Sequence, residues 1–388
     1  MNPQFTPFQS PPQWIADDQA LATLCQQLQQ QTVITVDTEF ARSRTYYPHI
    51  GLLQIADAQG IYLVDPLAIK QREPFADILT NPAITKVVHS ASEDLEVFVH
   101  AFGVLPQSLF DTQIAAAFTG FGPSIGYANL LRELKGIDIP KQETRSDWLQ
   151  RPLSDAQISY AALDVAYLLE IYHLLVTELQ HLQRLEWAQA DSDALVSKQR
   201  DSKSAETYYQ RIKLAWKLKP QQLAVLKQLC CWREHQARAQ DVPRSRIIKD
   251  NHLHDIALRL PKSHKQLQAI RGIPARLIET MADQWLLMIE EALSEANENS
   301  YPLRLPGPLS LSQTEKLKQL KHTVATIAQS LNLPQELLVR KKDYTALLQS
   351  RDHSDNYQLP HTLHGWRQAV VGDALLSCLS ELATQSGE

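Results

Sequence analysis

The chain has 388 residues, of which 44% are hydrophobic and 21% are charged, and its formal net charge is −5. This composition excludes disordered and fibrous proteins, and the length predicts two or three domains because it exceeds one ordinary core. Four cysteines without metal-ligand spacing predict buried free thiols of a reducing compartment: Cys25, Cys230, Cys231 and Cys378. The N-terminus does not have the pattern of a secretory signal, and we recognise no run of about 18 apolar residues. We therefore expect a cytoplasmic protein with no membrane partner.

Four strands are predicted in the N-terminal half. They are the β-branched and apolar runs Thr32–Asp37, Leu52–Ala56, Ile61–Val64 and Ile84–His89. The short stretch from Asp57 to Gly60 joins the middle two strands as a hairpin turn.

Two helices are predicted to alternate with these strands. The first runs from Ser90 to Phe102, with Ser90 as its N-cap and Gly103 closing it. The second runs from about Ser154 to Val176 and opens with a capping-box pattern. Strands and helices in this order predict an α/β domain with a mixed sheet flanked by helices.

The C-terminal half is predicted to be helical. The polar stretch 191–204 indicates a linker or a linking helix, and a second break rich in turn residues spans 297–308. Helical patterns cover 221–240, 252–260, 267–270 and 274–293, and no convincing strand follows residue 204. We expect an α/β domain at residues 1–200 and two small all-helical domains at 206–294 and 303–388.

Two carboxylates stand at the end of the first strand, in Asp37-Thr-Glu39. Positions i and i+2 of a strand point to the same face, so both acids project side by side. Like charges at this distance repel unless a cation lies between them, and hard oxygen ligands suit Mg²⁺ or Mn²⁺. The alternative is a solvated strand end.

Three residues further along the chain could join this pair. Asp94 lies in the first turns of a helix that leaves a strand, where an acid can be functional or can merely interact with the helix dipole. Tyr160 and Asp164 are one turn apart on a later helix. Alone, Tyr160 reads as a core residue and Asp164 as a surface charge, although Asp164 stands in an apolar run that favours burial with a partner.

The arrangement Asp-x-Glu, Asp and Tyr-x-x-x-Asp resembles the tyrosine-bearing branch of the DEDD superfamily of 3′→5′ exonucleases. The flanking sequences resemble the bacterial ribonuclease D family: 37-DTEF-40, 44-RTYYP-48, 51-GLLQI-55, 64-VDP-66, 110-FDT-112, 146-SDWL-149, 151-RPL-153 and 160-YAALD-164. Residues 215–293 resemble the helicase-and-RNase-D C-terminal (HRDC) domain. The last segment resembles a second, divergent HRDC copy.

This resemblance implies a ribonuclease H-like nuclease domain that holds two divalent metal ions. It implies that Asp37 bridges both ions, that Glu39 and Asp164 complete the site that activates water, and that Asp94 holds the second ion. Tyr160 would orient the attacking water. The implied activity is 3′→5′ hydrolysis of RNA to nucleoside 5′-monophosphates, above all at the 3′ extensions of tRNA precursors and other structured RNAs. Three domains in series look self-sufficient, so we expect a monomer.

A basic segment supports an RNA partner independently. Between Arg211 and Lys249 there are ten lysines and arginines against two acids, in an otherwise acidic chain. Basic side chains supply most non-specific affinity for phosphates, and Trp216 and Trp232 lie among them. The alternative is a solvated charged face. The residues we expect to contact RNA are Arg42, Arg44, Lys141, Arg211, Lys213, Lys217 and Lys219.

Two other functions are compatible with parts of this pattern. A DNA exonuclease of the same superfamily would use the same acids, since these act on the phosphate and not on the sugar. A non-catalytic RNA-binding scaffold would be expected to lack one of the acids, and all four are present.

Overall fold

The computed structural model describes residues 11–139, 146–201, 204–294, 301–352 and 356–385. The chain divides into two compact units. The sheet unit contains Met1–Ala41, Pro48–Arg200 and Leu309–Glu388, and the helical unit contains Arg42–Tyr47 and Asp201–Pro308. Each unit is therefore assembled from segments that are distant in sequence.

The sheet unit contains a six-stranded mixed sheet with the order β1-β4-β3-β2-β5-β6. The strands are β1 (Gln13–Ile15), β2 (Val33–Ala41), β3 (His49–Ala56), β4 (Ile61–Val64), β5 (Thr85–Val88) and β6 (Leu109–Asp111). The hairpins β2–β3 and β3–β4 are antiparallel, and the pairs β1–β4, β2–β5 and β5–β6 are parallel. The predicted mixed sheet is confirmed. The two edge strands, β1 and β6, were not predicted because three residues are too few to show an alternating pattern.

A β-bulge interrupts the pairing of β2 with β3. Glu39 lies opposite Leu52 and Phe40 lies opposite Ile50, so Gly51 is the extra residue. A Cβ atom on Gly51 would lie 2.4 Å from the carbonyl oxygen of Trp148, and only glycine fits there. The backbone at Trp148 is thus packed directly against β3, next to the point where β3 pairs with Glu39 of β2.

Residues 11–139 and 146–201 contain eight α-helices. They are α1 (Asp18–Leu28), α2 (Glu73–Thr80), α3 (Ser92–Phe102), α4 (Thr112–Phe118), α5 (Tyr127–Lys135), α6 (Asp155–Ala166), α7 (Leu168–His181) and α8 (Leu185–Asp201). The predicted capping box at Ser154 and Gln157 is confirmed, and so is the left-handed Gly103 that closes α3. The predicted single helix from Ser154 to Val176 is instead two helices that meet at Tyr167.

The prediction that Ser90 caps α3 is wrong. Ser90 has a positive φ of 65°, and α3 starts two residues later without a side-chain cap. The backbone amides of Ser90 and Ala91 donate instead to the carboxylate of Asp111, at 3.0 and 2.9 Å. The carboxylate of Asp111, on the neighbouring strand β6, therefore binds the backbone amides before α3, a role that was predicted for the hydroxyl of Ser90.

The two faces of the sheet are covered by different groups of helices. The face that holds α1, α2 and α3 is lined by Ile34, Val36, Leu53, Ile55, Phe75 and Phe98. The opposite face holds α6 and is lined by Leu52, Ala56, Leu63, Ala161, Ala162 and Val165. In the described residues, one helical stretch, Asp155–His181, is long and apolar enough to cross a membrane by length and composition. The sequence had not indicated such a run, and its apolar side chains contribute to these cores.

The C-terminal helices share a core with the sheet unit. They are α14 (Leu311–Leu331), α15 (Gln335–Leu338), α16 (Lys341–Gln349) and α17 (Asp373–Gln385). Leu320, Val324 and Leu379 lie in one apolar cluster with Phe118 and Leu175. Arg184 links the two parts, since its guanidinium donates to the carbonyl oxygens of Phe118 and Leu331. Residues 309–388 are thus packed as part of the sheet unit.

The helical unit is built around a second core. Its helices are α9 (Pro220–Ala239), α10 (Arg244–Ile247), α11 (Asp250–Arg259), α12 (His264–Gln268) and α13 (Ala275–Ser294). The Trp232 and Trp285 rings meet edge to face in this core, with centroids 5.8 Å apart. The predicted helices are confirmed to within a few residues at their ends. All four cysteines are free thiols; Cys25 and Cys230 are buried and the other two are half-buried.

Candidate active site

Three of the four predicted acids converge at the face of β2 that α6 covers. Each of Asp37, Glu39 and Asp164 offers a carboxylate oxygen, and these oxygens all lie within 4.8 Å of one another. Thr35, two residues before Asp37, donates to the carbonyl oxygens of Ala56 and Val165 at 3.3 and 3.4 Å. This hydroxyl ties the C-terminal turn of α6 to β2 and so holds Asp164 beside the strand acids.

Asp94 lies outside this tight group but acts on it through charge. It is buried in the first turn of α3, where its carboxylate accepts a hydrogen bond from the hydroxyl of Thr38. Burial, and after it the charges of Asp94, Asp164 and Glu39, raise the pKa of Asp37 well above its usual range. The four acids therefore form one electrostatic cluster, which extends to both sides of β2.

The other acids of this cluster also hold their protons more tightly than in water. Burial is the main cause in each case: it raises the pKa of Glu39 to about 8, with further contributions from Asp164 and Asp94. The pKa values of Asp94 and Asp164 are raised to about 7, although bonds from Thr38 and Tyr160 respectively oppose the shift. Asp94 is buried and the other three acids are half-buried. Four neighbouring carboxylates that repel one another are a donor set that fits divalent cations. They offer hard oxygen ligands, and a bound cation supplies the positive charge that offsets their repulsion.

Tyr160 lies one helical turn before Asp164 and hydrogen-bonds its carboxylate. Burial, followed by the charges of Asp164, Glu39 and Asp37, raises the pKa of Tyr160 above its usual value. The phenol is thus neutral at neutral pH and can orient a neighbouring group, but it is poorly suited to removing a proton. Its ring lies near that of Trp148, with centroids 6.2 Å apart.

Two residues that shape the site, Thr38 and Asp111, were not predicted from the sequence. Thr38 stands between the two strand acids and holds Asp94. Asp111 organises the start of α3, and its carboxylate also accepts from the amides of Gln113 and Ile114 at the start of α4. An Asp at the junction of a strand and a helix is a typical N-cap, which is the signal that could have revealed Asp111.

The residues expected to contact RNA fall in different places. Arg211, Lys213, Lys217 and Lys219 are exposed on the helical unit. Arg44 is exposed, whereas Arg42 is half-buried and donates to the carbonyl oxygen of Tyr46 at 3.2 Å. Lys141 lies outside the described residues. Trp216 is 37% exposed, but Trp232 is a core residue, so only the first of the two tryptophans is accessible.

Part of the basic segment is neutralised within the helical unit. Glu234 is buried and pairs with Arg238 and Arg244, and the Tyr46 hydroxyl joins the same cluster. Burial disfavours the charge of Glu234, but the bonds from Arg244 and Tyr46 outweigh it and lower its pKa to about 2. One buried acid therefore pairs with two arginines of the basic segment between residues 211 and 249.

Two further basic side chains of this segment also have acidic partners. Arg233 is buried and pairs with Asp250 at 2.6 Å, and the ammonium of Lys227 lies 3.6 Å from the carboxylate of Glu206. Four of the ten lysines and arginines between residues 211 and 249 are thus engaged by acids, so the positive charge available to a ligand is smaller than the sequence indicates.

Three parts of the chain match known families. Residues 12–180 match the 3′-5′ exonuclease family. Residues 222–289 match the HRDC domain, and residues 314–375 match the C-terminal HRDC domain of ribonuclease D.

Similar proteins cover almost the entire chain. Ribonuclease D of Pseudomonas paraeruginosa is 42% identical over 367 residues, which are 95% of this chain and 97% of the relative. Ribonuclease D of Escherichia coli is 35% identical over 371 residues, with 95% and 98% covered. The crystal structure of E. coli RNase D, described as an exoribonuclease involved in structured RNA processing, matches with a TM-score of 0.89, 35% identity and coverage of 96% and 99%. The resemblance seen in the sequence is confirmed, and the chain belongs to the ribonuclease D family of 3′→5′ exoribonucleases.

Proposed function

We propose that this chain is a metal-dependent 3′→5′ exoribonuclease that releases nucleoside 5′-monophosphates and trims the 3′ extensions of tRNA precursors and other structured RNAs. The observation that carries the proposal is the cluster of Asp37, Glu39 and Asp164, whose oxygens lie within 4.8 Å of one another beside the buried Asp94. Membership of the ribonuclease D family connects this cluster with phosphodiester hydrolysis.

In this proposal Asp37, Glu39, Asp94 and Asp164 hold two divalent cations, Mg²⁺ or Mn²⁺. Such ions, when bound, stabilise the charge on the attacking and leaving oxygens of a phosphodiester. The raised pKa values of Glu39, Asp94 and Asp164 mean that cation binding displaces protons from these carboxylates near neutral pH. Tyr160 keeps its proton and orients the attacking water through its hydroxyl.

Substrate capture is assigned to basic residues on the surface of the helical unit. Arg211, Lys213, Lys217 and Lys219 are exposed, and among the residues that the structure describes no acid forms a salt bridge with any of them. Arg42, Arg44 and Lys141 are kept as further proposed RNA contacts. The E. coli relative is described as acting in structured RNA processing, which supports structured RNA as the substrate class here. We assign residues 1–200 to the nuclease domain, 206–294 to the first HRDC domain and 303–388 to the second, in a monomer of the cytoplasm.

The test is digestion of a 5′-labelled RNA hairpin that carries a 3′ single-stranded extension. With Mg²⁺ or Mn²⁺ we expect a ladder of products shortened one nucleotide at a time from the 3′ end, and EDTA should abolish it. The same hairpin made of DNA is the parallel substrate. Preferential digestion of DNA would favour the DNA exonuclease, and RNA binding without hydrolysis under all metal conditions would favour the scaffold.

A further inference from the structure

Gln54, in β3, is a fully buried glutamine whose side chain lacks hydrogen bonds. It is 0% exposed, and within the described part of the chain neither its amide nitrogen nor its amide oxygen has a hydrogen-bond partner. Buried amides are nearly always hydrogen-bonded, because leaving one unpaired in an apolar surrounding is costly. An orphaned amide in a well-packed sheet therefore needs an explanation.

The strand register surrounds Gln54 with apolar side chains on all sides but one. Leu52 and Ala56, two positions away on β3, belong to the apolar cluster under α6. Leu63 lies directly opposite Gln54 on β4, and it belongs to the same cluster. A leucine or methionine would suit this place better than an amide if packing were the only requirement.

The remaining side is occupied by Asp37. The register places Asp37 directly opposite Gln54 on β2. Directly opposed residues of an antiparallel pair point to the same face, with their Cβ atoms about 4.5–5.5 Å apart. An ionised carboxylate accepts hydrogen bonds and an amide NH₂ group donates them, so the two side chains are chemically complementary.

Gln157 provides a contrast that makes Gln54 unusual. Gln157 is also buried, at 1% exposure, but both polar atoms of its amide are hydrogen-bonded. Its Nε2 donates to the carbonyl oxygen of Asp147, and its Oε1 accepts from the amide of Ser154 and from Gln150. The fold therefore satisfies a buried glutamine where the amide has a structural role, and it leaves Gln54 unsatisfied beside the acid cluster.

We propose that Gln54 is a positioning residue of the metal site, whose Nε2 donates to the carboxylate of Asp37 when that carboxylate ligates a cation. Residues behind a metal ligand fix its orientation, and their loss commonly weakens metal binding or activity by about 10–100-fold. The inference rests on the proposed metal-dependent function and adds a residue that the motif of acids does not contain.

The test uses the full-length chain with Gln54→Leu and, as a second apolar variant of similar length, Gln54→Met. Mn²⁺ affinity is measured by calorimetry without RNA, and the melting temperature is measured in EDTA. We expect Mn²⁺ to bind about 10–100-fold more weakly in both variants, while the melting temperature in EDTA stays level or rises because the orphaned amide is gone. Steady-state kinetics should show a lower kcat with an unchanged KM for RNA.

Two further variants separate the possible outcomes. Gln157→Leu should lower the melting temperature, since it breaks the capping box of α6, and should leave Mn²⁺ affinity within a few-fold of the parent. Asp37→Asn should lose Mn²⁺ binding. If the Gln54 variants bind Mn²⁺ as tightly as the parent protein, Gln54 is not a positioning residue. The metal site itself would still be supported in that case if Asp37→Asn loses Mn²⁺ binding. If the parent protein itself does not bind Mn²⁺, both this inference and the proposed metal dependence fail.

Discussion

The indole rings of Trp187 and Trp366 stack face to face, with their centroids 4.5 Å apart and their planes 8° from parallel. Beside this stack, Arg367 forms a two-point ion pair with Asp191, in which both N–O distances are 2.6 Å. Two residues of α8 are thereby joined to the C-terminal segment by an aromatic contact and a bidentate charge pair. These contacts make residues 309–388 a structural part of the sheet unit.

Trp366→Ala should therefore destabilise the sheet unit. Truncating a packed aromatic typically costs about 3–5 kcal/mol, and we expect the lower end because Trp366 is only partly buried. The measurement is urea unfolding followed by circular dichroism. Leu303→Ala is the control, since Leu303 is 89% exposed and its loss should change stability by less than about 0.5 kcal/mol. Equal midpoints for the two variants would show that the C-terminal segment contributes little to the core.

Replacing Lys213, Lys217 and Lys219 by glutamine should weaken RNA binding and reduce its salt dependence. Removing one lysine–phosphate interaction lowers the slope of log affinity against log salt by about 0.7–0.9, so the slope should fall by about 2–3. The salt titration uses a tRNA-sized RNA and proteins that carry Asp37→Asn to block cleavage. The control is a second triple variant, in which glutamine replaces Lys318, Lys321 and Lys342. It removes the same amount of charge from another part of the surface. An equal weakening in both triple variants would argue for a general charge effect and against an RNA surface at 213–219.

Asp37→Asn should abolish hydrolysis and leave the fold intact. The substitution removes a charge proposed to ligate metal and also relieves repulsion among neighbouring carboxylates, so the melting temperature in EDTA should stay level or rise. Hydrolysis of labelled RNA and thermal unfolding are the two measurements. Glu93→Gln, which changes an exposed acid beside Asp94, should keep full activity. Turnover above a few per cent in Asp37→Asn would contradict the assignment of this acid to the metal site.

Tyr160→Phe should slow the chemical step by about 100-fold while metal affinity and stability are retained. The ring still packs near Trp148, but the hydroxyl that bonds Asp164 is gone. A positioned acid–base group typically increases the reaction rate by about 10²–10⁴-fold. We expect the lower end of this range for a neutral phenol that only orients water. Single-turnover cleavage is the appropriate assay. Tyr62→Phe is the control, because Tyr62 of β4 belongs to the apolar cluster on the opposite face of the sheet. An unchanged rate would return Tyr160 to a packing role.

The stability of the metal-free protein should depend on pH through the acid cluster. The pKa of Glu39 is about 8 in the folded chain, against about 4.3 for a free side chain. Between these values the native state binds more protons than the unfolded state, so this group makes stability fall as the pH rises from about 4 to 8. Glu39→Gln removes this contribution. In EDTA its melting temperature should equal that of the parent near pH 4 and exceed it increasingly up to pH 8, and a constant difference would contradict the shift.

The sheet and its acids could be predicted from sequence because both depend on local pattern. Asp37 and Glu39 follow a β-branched run, and Tyr160 and Asp164 are separated by one helical turn. Gln54 could not be found this way, because its relation to Asp37 depends on the register of two strands. The positive charge of the basic segment was overestimated for a similar reason. The count of positive charges in the sequence included Arg238 and Arg244. In the structure both pair with Glu234. The hydroxyl of Tyr46, which is distant in sequence, joins the same cluster.

The order of the segments in the sheet unit also constrains how the protein is made. Strand β2, which carries Asp37 and Glu39, ends at Ala41, whereas Leu320, Val324 and Leu379 of the same unit lie beyond residue 308, where the helical unit ends. A ribosome adds about 5–20 residues per second, so the emerging nuclease segment waits roughly ten seconds or more for the helices that cover its core. During that interval its apolar surface is open to chaperones and proteases. A message cut short before residue 309 would yield a chain that contains all four acids of the cluster but lacks the part that completes its core.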